Sequence, residues 1–305
     1  MKSAMVAANT DNFGTDRQGA RLRLENILPL ALCAALSGCV NLSAVGDFAK
    51  ESSVISANKA LLDDTDAQTE AREYALALNL PNSFADPASK EFTDRLAVTA
   101  HALTALNAYM TVLAQLSAKD VANVSSEVST IGTALKSLNV TDPKLQPGLN
   151  AATSLANILL NEVIRKDVKK LIDSAAAPVD DIANYLVDQA QTTSNTYNQA
   201  IAVSNRYWGS LTAPSKGDSE LCRTANLCKT VSVLANRARD ADNKNLSAKA
   251  AAADTATAAF KKIRNDNAAL VKNTDHLDDK ALIAMLKSDE PDLQAAIRTL
   301  KSLKD

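Results

Sequence analysis

Apolar residues along the chain recur mostly at steps of three and four, the spacing of one helix face, rather than in the alternation of a strand. Val121, Val124, Val128, Ile131, Leu135 and Leu138 step by 3, 4, 3, 4 and 3. Upstream, Leu96, Leu103 and Met110 recur every seven residues, with Leu106 and Leu113 on the same face. Leu227, Val231, Leu234, Ala238, Ala241 and Ala248 keep the step, interrupted by Asn245. Residues 248–259 read AKAAAADTATAA, a small-residue seam along which two helices can approach closely. Seams near a period of 3.5 favour left-handed, slightly supercoiled packing in an antiparallel bundle. The pattern predicts helices over 43–79, 87–139, 147–176, 179–212, 223–274 and 278–303. The fifth of these would be about 75 Å long at about 1.5 Å per residue.

Breakers mark the corners between these stretches. Pro81-Asn82-Ser83, Asp86-Pro87, Asp142-Pro143, Pro147-Gly148 and Pro214-Ser215 have turn chemistry. Asp86 before Pro87 predicts a helix cap with proline at the first helical position. Pro178 followed by Asp180 and Asp181 predicts a second helix start, where carboxylates meet the positive end of the dipole. Composition sharpens the picture. With 8 glycines, 8 prolines and 4% aromatics in 305 residues, the chain lacks the glycine-rich turns of a doubly wound α/β enzyme and the turn density of a β-sandwich. An apolar content of 46% excludes wholesale disorder. The expected fold class is all-α: one elongated antiparallel helical bundle over 43–305, with long helices and partial coiled-coil-like packing.

The N-terminus carries a different signal. Arg21 and Arg23 precede the apolar run Ile27-Leu28-Pro29-Leu30-Ala31-Leu32-Cys33-Ala34-Ala35-Leu36, about as long as a signal-peptide core and too short to span a bilayer. It ends in Leu36-Ser37-Gly38-Cys39. This arrangement resembles the lipobox of bacterial lipoproteins. The resemblance covers about 20 residues, and it departs from the pattern in the long stretch before Arg21 and in Glu25 beside the apolar run. It implies a thiol at Cys39 that receives diacylglycerol, cleavage just before it, and acylation of the new amine. It further implies a signal peptide over 1–38, a tether over 39–42 and a stable membrane anchor. Val40 rather than aspartate after the cysteine implies sorting to the outer membrane, with the domain facing the periplasm.

Export bears on the remaining cysteines. Cys33 leaves with the signal peptide and Cys39 takes lipid, so Cys222 and Cys228 are expected to pair as a disulfide. Six helical residues rise about 9 Å against a limit of about 7 Å between the bridged Cα atoms, so the bond predicts a stapled turn rather than a regular helix over 223–227.

The chemistry is otherwise sparse. His101 and His276 lack the i±4 partners of a zinc site, and no nucleophile elbow, Walker loop or dinucleotide fingerprint occurs. No catalysis, metal or cofactor is expected. The first 38 residues hold four basic and three acidic side chains, which leaves 29 basic against 32 acidic in the remainder. That balance argues against nucleic acid. Lys261, Lys262 and Arg264 read as a solvated face, and Arg165-Lys166 with Lys169-Lys170 likewise, or as a contact to anionic headgroups.

Two features point to recognition. Arg206, Tyr207 and Trp208, with the only tryptophan, have the composition of a partner-contact hot spot, though a hydrophobic plug at the bundle end is the plainer expectation. The stretch Gln189 to Asn198 is polar, and Thr193 falls on the seam Leu186, Ala190, Thr193, Tyr197, Ile201. That stretch reads first as an exposed helix with a weak seam; a polar core layer and a ligand cleft are the other readings. The expected function is a lipid-anchored envelope scaffold that binds a protein partner. The rivals are a periplasmic inhibitor of a toxin or hydrolase and a ligand-sensing bundle.

Overall fold

A computed structural model of the protein describes residues 42–81, 83–118, 140–162, 167–212 and 225–302, with the backbone alone at 162, 212 and 225–229. Seven helices make up this part, all of it within one compact unit that begins at Asn41. They are α1 (Ser43–Ser56), α2 (Thr65–Ala77), α3 (Lys90–Ser117), α4 (Gln146–Glu162), α5 (Val168–Thr212), α6 (Ala225–Lys272) and α7 (Lys280–Lys301). The described residues form no strand, and the all-α antiparallel bundle expected from the spacing is the observed class.

The first predicted helix, 43–79, is in fact two. A 3-10 turn at Lys59–Leu62 and an extended Asp63 separate α1 from α2. Asp63 explains the break: its Oδ1 accepts the Thr65 amide at 3.0 Å, a local bond that competes with helix continuation. α2 then ends in a left-handed Asn79 (φ 52°), with the Leu80 amide bonded to the Ala75 carbonyl at 2.9 Å, a Schellman closure. Asp86 does not cap a helix. It anchors a turn through the Ala88 amide, and the cap of α3 is Ser89, which accepts the Phe92 amide at 3.2 Å.

Within α3 the seven-residue seam is the core. Leu103, Leu106, Met110 and Leu113 are fully buried, beside Tyr109, whose hydroxyl donates to Asn267 Oδ1 at 2.9 Å. Replacing Tyr109 by Phe leaves that amide oxygen unpaired, so equilibrium unfolding should record a loss of about 1–3 kcal/mol. The 121–138 seam lies outside the described residues. α4 opens with Pro147 in its first turn, and its Gly148 is required by a close approach. A Cβ there would stand 2.8 Å from the Tyr185 ring. Gly148→Ala should therefore destabilise by about 1–3 kcal/mol although alanine is the better helix former. Circular-dichroism melts of the two proteins check it.

The largest correction concerns Pro178. It starts no helix; it lies buried inside the 45-residue α5. Proline removes one backbone bond, but Leu171, Ile172, Ala175, Val179, Ile182 and Ala183 are all buried around it and hold the helix through. Asp180 is thus not at a helix start and instead pairs with Arg264 of α6 at 2.7 Å.

α5 and the 48-residue α6 form a long antiparallel hairpin. Its rungs are Asp180 with Arg264 and Asn205 with Asn243, and at its base Lys169 reaches Asp275 in the turn after α6. The small-residue seam holds: Ala250, Ala252, Ala253, Ala256 and Ala259 are buried. The Val231–Ala248 seam does not. Val231 and Leu234 are 43% and 59% exposed, and the buried face runs through Ala235, Leu246, Ala250, Ala253, Phe260 and Ile263.

Candidate functional site

The buried apolar residues fall into two clusters. The larger joins α1, α3, α4, α5, α6 and α7; the smaller holds Ala67, Ala71, Tyr197, Ala200, Leu246 and Ala250, where α2 lies on the hairpin. Between them on α5 lie Thr193, Ser194 and Thr196, all buried. The polar stretch is therefore a core layer over these residues, not an exposed face. An exposed helix was the wrong expectation because α2 covers it.

Asp64 is the centre of this layer. Its side chain is fully buried, Oδ1 accepts from Arg95 Nη2, and Oδ2 accepts from Gln68 Nε2 at 3.2 Å. Gln68 Nε2 also lies 3.3 Å from Thr196 Oγ1, and Gln68 Oε1 accepts the Ala85 amide at 2.9 Å. The Arg95 guanidinium sits 4.8 Å above the Phe92 ring. Tyr197 donates its hydroxyl to the Asp63 carbonyl at 3.0 Å, and the Tyr185 hydroxyl lies 3.2 Å from Thr99 Oγ1. Burial, reinforced by the charges of Asp64, Asp66 and Asp63, pushes the Tyr197 phenol well above its ordinary range. Three buried polar atoms at this level have no protein partner: Arg95 Nη1, Gln189 Oε1 and Thr193 Oγ1. A pocket of about 180 Å³ opens beside the layer, lined by Asn58, Asp63, Asp66, Tyr197, Lys249 and Leu300 among others.

The aromatic pair named from the sequence closes the flank of the hairpin. Tyr207 stacks on Tyr74 of α2 with centroids 4.6 Å apart and planes at 19°. Trp208 meets both rings edge-on. Asp242 Oδ2 accepts from Trp208 Nε1 at 2.7 Å and from the Tyr74 hydroxyl at 2.6 Å. These contacts bind α2, α5 and α6 together. Burial, then the bond to Asp242, raises the Tyr74 phenol far above its usual value, and burial raises the Glu70 carboxyl. Arg206 points to solvent beside them. Truncating Trp208 to Ala should free α2 from the hairpin before the rest unfolds. Hydrogen exchange over 65–77 should then quicken by more than tenfold, while α3 keeps its protection.

The other residues named from the sequence fare unevenly. Cys39 and Cys222 lie outside the described residues, and Cys228 is described only as backbone within α6. His101 is half-buried, and burial, aided by the Lys59 charge, lowers its pKa. His276 lies in a 3-10 turn at Thr274–His276. Lys262 and Arg264 are paired with Asp289, Asp292 and Asp180 rather than merely solvated. Among the described residues no three His, Cys, Asp or Glu side chains converge as metal ligands. The sequence did not single out Asp64, Gln68 or Arg95. A usable signal was Asp63-Asp64 standing between the buried Leu61-Leu62 and the buried Ala67-Gln68.

The fold and this layer define an all-α antiparallel bundle with a polar, ion-paired waist. The chain matches no family model, no curated protein and no solved structure.

Proposed function

We propose that this protein is a lipid-anchored scaffold of the bacterial envelope that binds a protein partner rather than turning over a substrate. Cys39 carries the lipid at the outer membrane, and the bundle stands in the periplasm. The observation that carries the reading is the run Leu36-Ser37-Gly38-Cys39 directly after a signal-peptide-like core, only four residues before α1 begins. The internal geometry of the bundle is consistent with presentation at a distance. Gly46 of α1 faces Ser117 and Ala114 near the end of α3, and Tyr109 of α3 meets Asn267 of α6. The start of α1 therefore lies toward the α6 carboxyl end, whereas the 48 residues of α6 extend about 70 Å the other way at about 1.5 Å per residue.

At that far end Leu211, Val231, Val233 and Leu234 are between 43% and 59% exposed, beside Arg206 and the aromatic clasp. Apolar residues with Arg, Tyr and Trp nearby suit a partner protein that presents an apolar surface. Photo-crosslinkers at Val231 and Leu234, irradiated in living cells, test it. The reading expects one and the same envelope protein at both positions, lost when Cys39→Ala blocks lipidation and delivery to the outer membrane. Capture of one small secreted toxin or hydrolase supports the inhibitor instead, and no crosslink at either position counts against a scaffold.

A second reading, a ligand-sensing bundle, is favoured by Arg95 Nη1, Gln189 Oε1 and Thr193 Oγ1, buried without protein partners in the waist. Such groups are high-stakes inside a protein, and a small polar ligand with an acceptor oxygen for Arg95 Nη1 and an N–H or O–H donor for Gln189 Oε1 would satisfy them.

A further inference from the structure

The carboxyl-terminal helix is attached in an unusual way. α7 follows a joint at residues 273–279, held by a 3-10 turn and by the Asp279 cap on the Ala281 amide at 2.6 Å. It packs on α1 along one flank and on α6 along the other, through its own buried face of Leu282, Leu286, Leu293, Ala296 and Leu300. Both flanks bring carboxyl groups together.

On the α6 side, Asp266 is 1% exposed, its Oδ2 has no partner, and it meets Asp289 of α7. Asp289 is held in its charged form by Lys262 Nζ at 2.8 Å, and the same ammonium reaches Asp292 at 2.8 Å. On the α1 side, Gln294 Nε2 bridges Glu51 Oε1 at 2.8 Å and Glu290 Oε1 at 2.9 Å, while Glu51 Oε2 is buried without a partner. Asp47 adds a further negative charge toward Glu51, and Lys50 offsets part of it. Next to the Asp266 flank an open surface groove of about 590 Å³ runs between α6 and α7, lined by Ala258, Ala259, Leu293 and Ala296 among others. The seam thus carries more carboxyl groups than cations to pair them.

We infer that α7 is an acid-tightened latch, docked through two meetings of carboxyl groups, Asp266 with Asp289 and Glu51 with Glu290, and released from the bundle as the pH rises.

The proton inventory gives the direction. Burial, then the hydrogen bond and charge of Asp289, raises the Asp266 carboxyl to about 8; Glu51 is raised by burial, with Glu290 and Asp47 adding to it. A neutral Asp266 donates to the Asp289 carboxylate, which makes the contact attractive. Once α7 leaves, Asp266 meets water and returns toward the ordinary carboxylate value, about 4. The bundle with α7 docked therefore holds a proton on Asp266 of α6 that it loses when α7 leaves. Its attachment is at full strength below the ordinary carboxylate range and is progressively lost as pH climbs toward about 8. Each proton so linked changes the undocking constant about tenfold per pH unit inside that window. Release uncovers the apolar strip between α1 and α6 and frees an amphipathic helix.

Hydrogen exchange on the full chain at pH 6, 7 and 8, corrected for intrinsic rates, tests this. The latch predicts that protection over 281–301 falls about tenfold per pH unit, while α3 and α5 keep theirs. Asp266→Asn keeps the shape but not the titration, and should flatten the profile and hold α7 docked at pH 8. If that variant does not fold, Asp289→Asn, which removes the facing charge on the less buried side of the pair, must shallow the slope. The proposal is overturned if wild-type protection over α7 does not change with pH. It is equally overturned if the fall is the same in the variants, or if α7, α3 and α5 lose protection together.

Discussion

Arg95→Ala is expected to destabilise the bundle by about 3–5 kcal/mol, because it strands the Asp64 carboxylate with Gln68 as its one remaining side-chain donor. Asp64 is fully buried, whereas Arg95 retains 16% side-chain exposure. The two truncations should therefore differ. In Asp64→Ala the guanidinium can turn toward water, and the loss should be smaller. In Arg95→Ala the orphaned carboxyl stays fully buried and cannot turn toward water, so the loss should be the larger. The paired replacement Asp64→Leu with Arg95→Met removes both charges and should recover most of the loss, since a buried ion pair contributes little against apolar groups of similar size. Urea unfolding of the three variants decides it. Equal losses below about 1 kcal/mol for both truncations would mean that the waist is not a dry, paired layer.

Phe260→Ala and Leu234→Ala form the second comparison. Phe260 is fully buried in the main core, so its truncation should cost about 3–5 kcal/mol. Leu234 is 59% exposed, and its truncation should stay within about 0.5 kcal/mol. The pattern of the sequence places Leu234 on the buried seam and does not single out Phe260. Thermal melts of the pair therefore test which face of α6 is the inner one.

That reversal marks what the sequence could and could not reveal. Helix was legible because few glycines, few prolines and a three-and-four step leave no competing period. The α3 seam was legible because leucine and methionine occupy one face only. On α6 the signal was ambiguous in phase: alanine lies on almost every side between 248 and 259, so a seam can be drawn along more than one face. The partner helix selects the face, and that is a tertiary fact. Pro178 misled for the same reason, since burial on both sides of it outweighs one missing backbone bond. Asp63 broke the first predicted helix through short-range bonds to Thr65 that propensity sums do not weigh.

The waist was half legible. Thr193 sits on the α5 seam and flags a polar core position. Its layer is completed from elsewhere, however: Gln68 reaches Thr196 across 128 residues of chain, and Asp64 reaches Arg95 across 31. Pairings at such separations leave no local pattern. The buried Asp266-Asn267 did leave one, as polar residues within the apolar step from Ile263 to Leu270, which marks a core position spent on something other than packing.

The anchor is the central claim, and the intact mass of the mature chain recovered from membranes tests it most directly. The account predicts a protein that begins at Cys39 and carries three acyl chains, and a Cys39→Ala form that is neither acylated nor cleaved there. A membrane-derived chain that retains residues 1–38, or one that bears an unmodified Cys39, would contradict it.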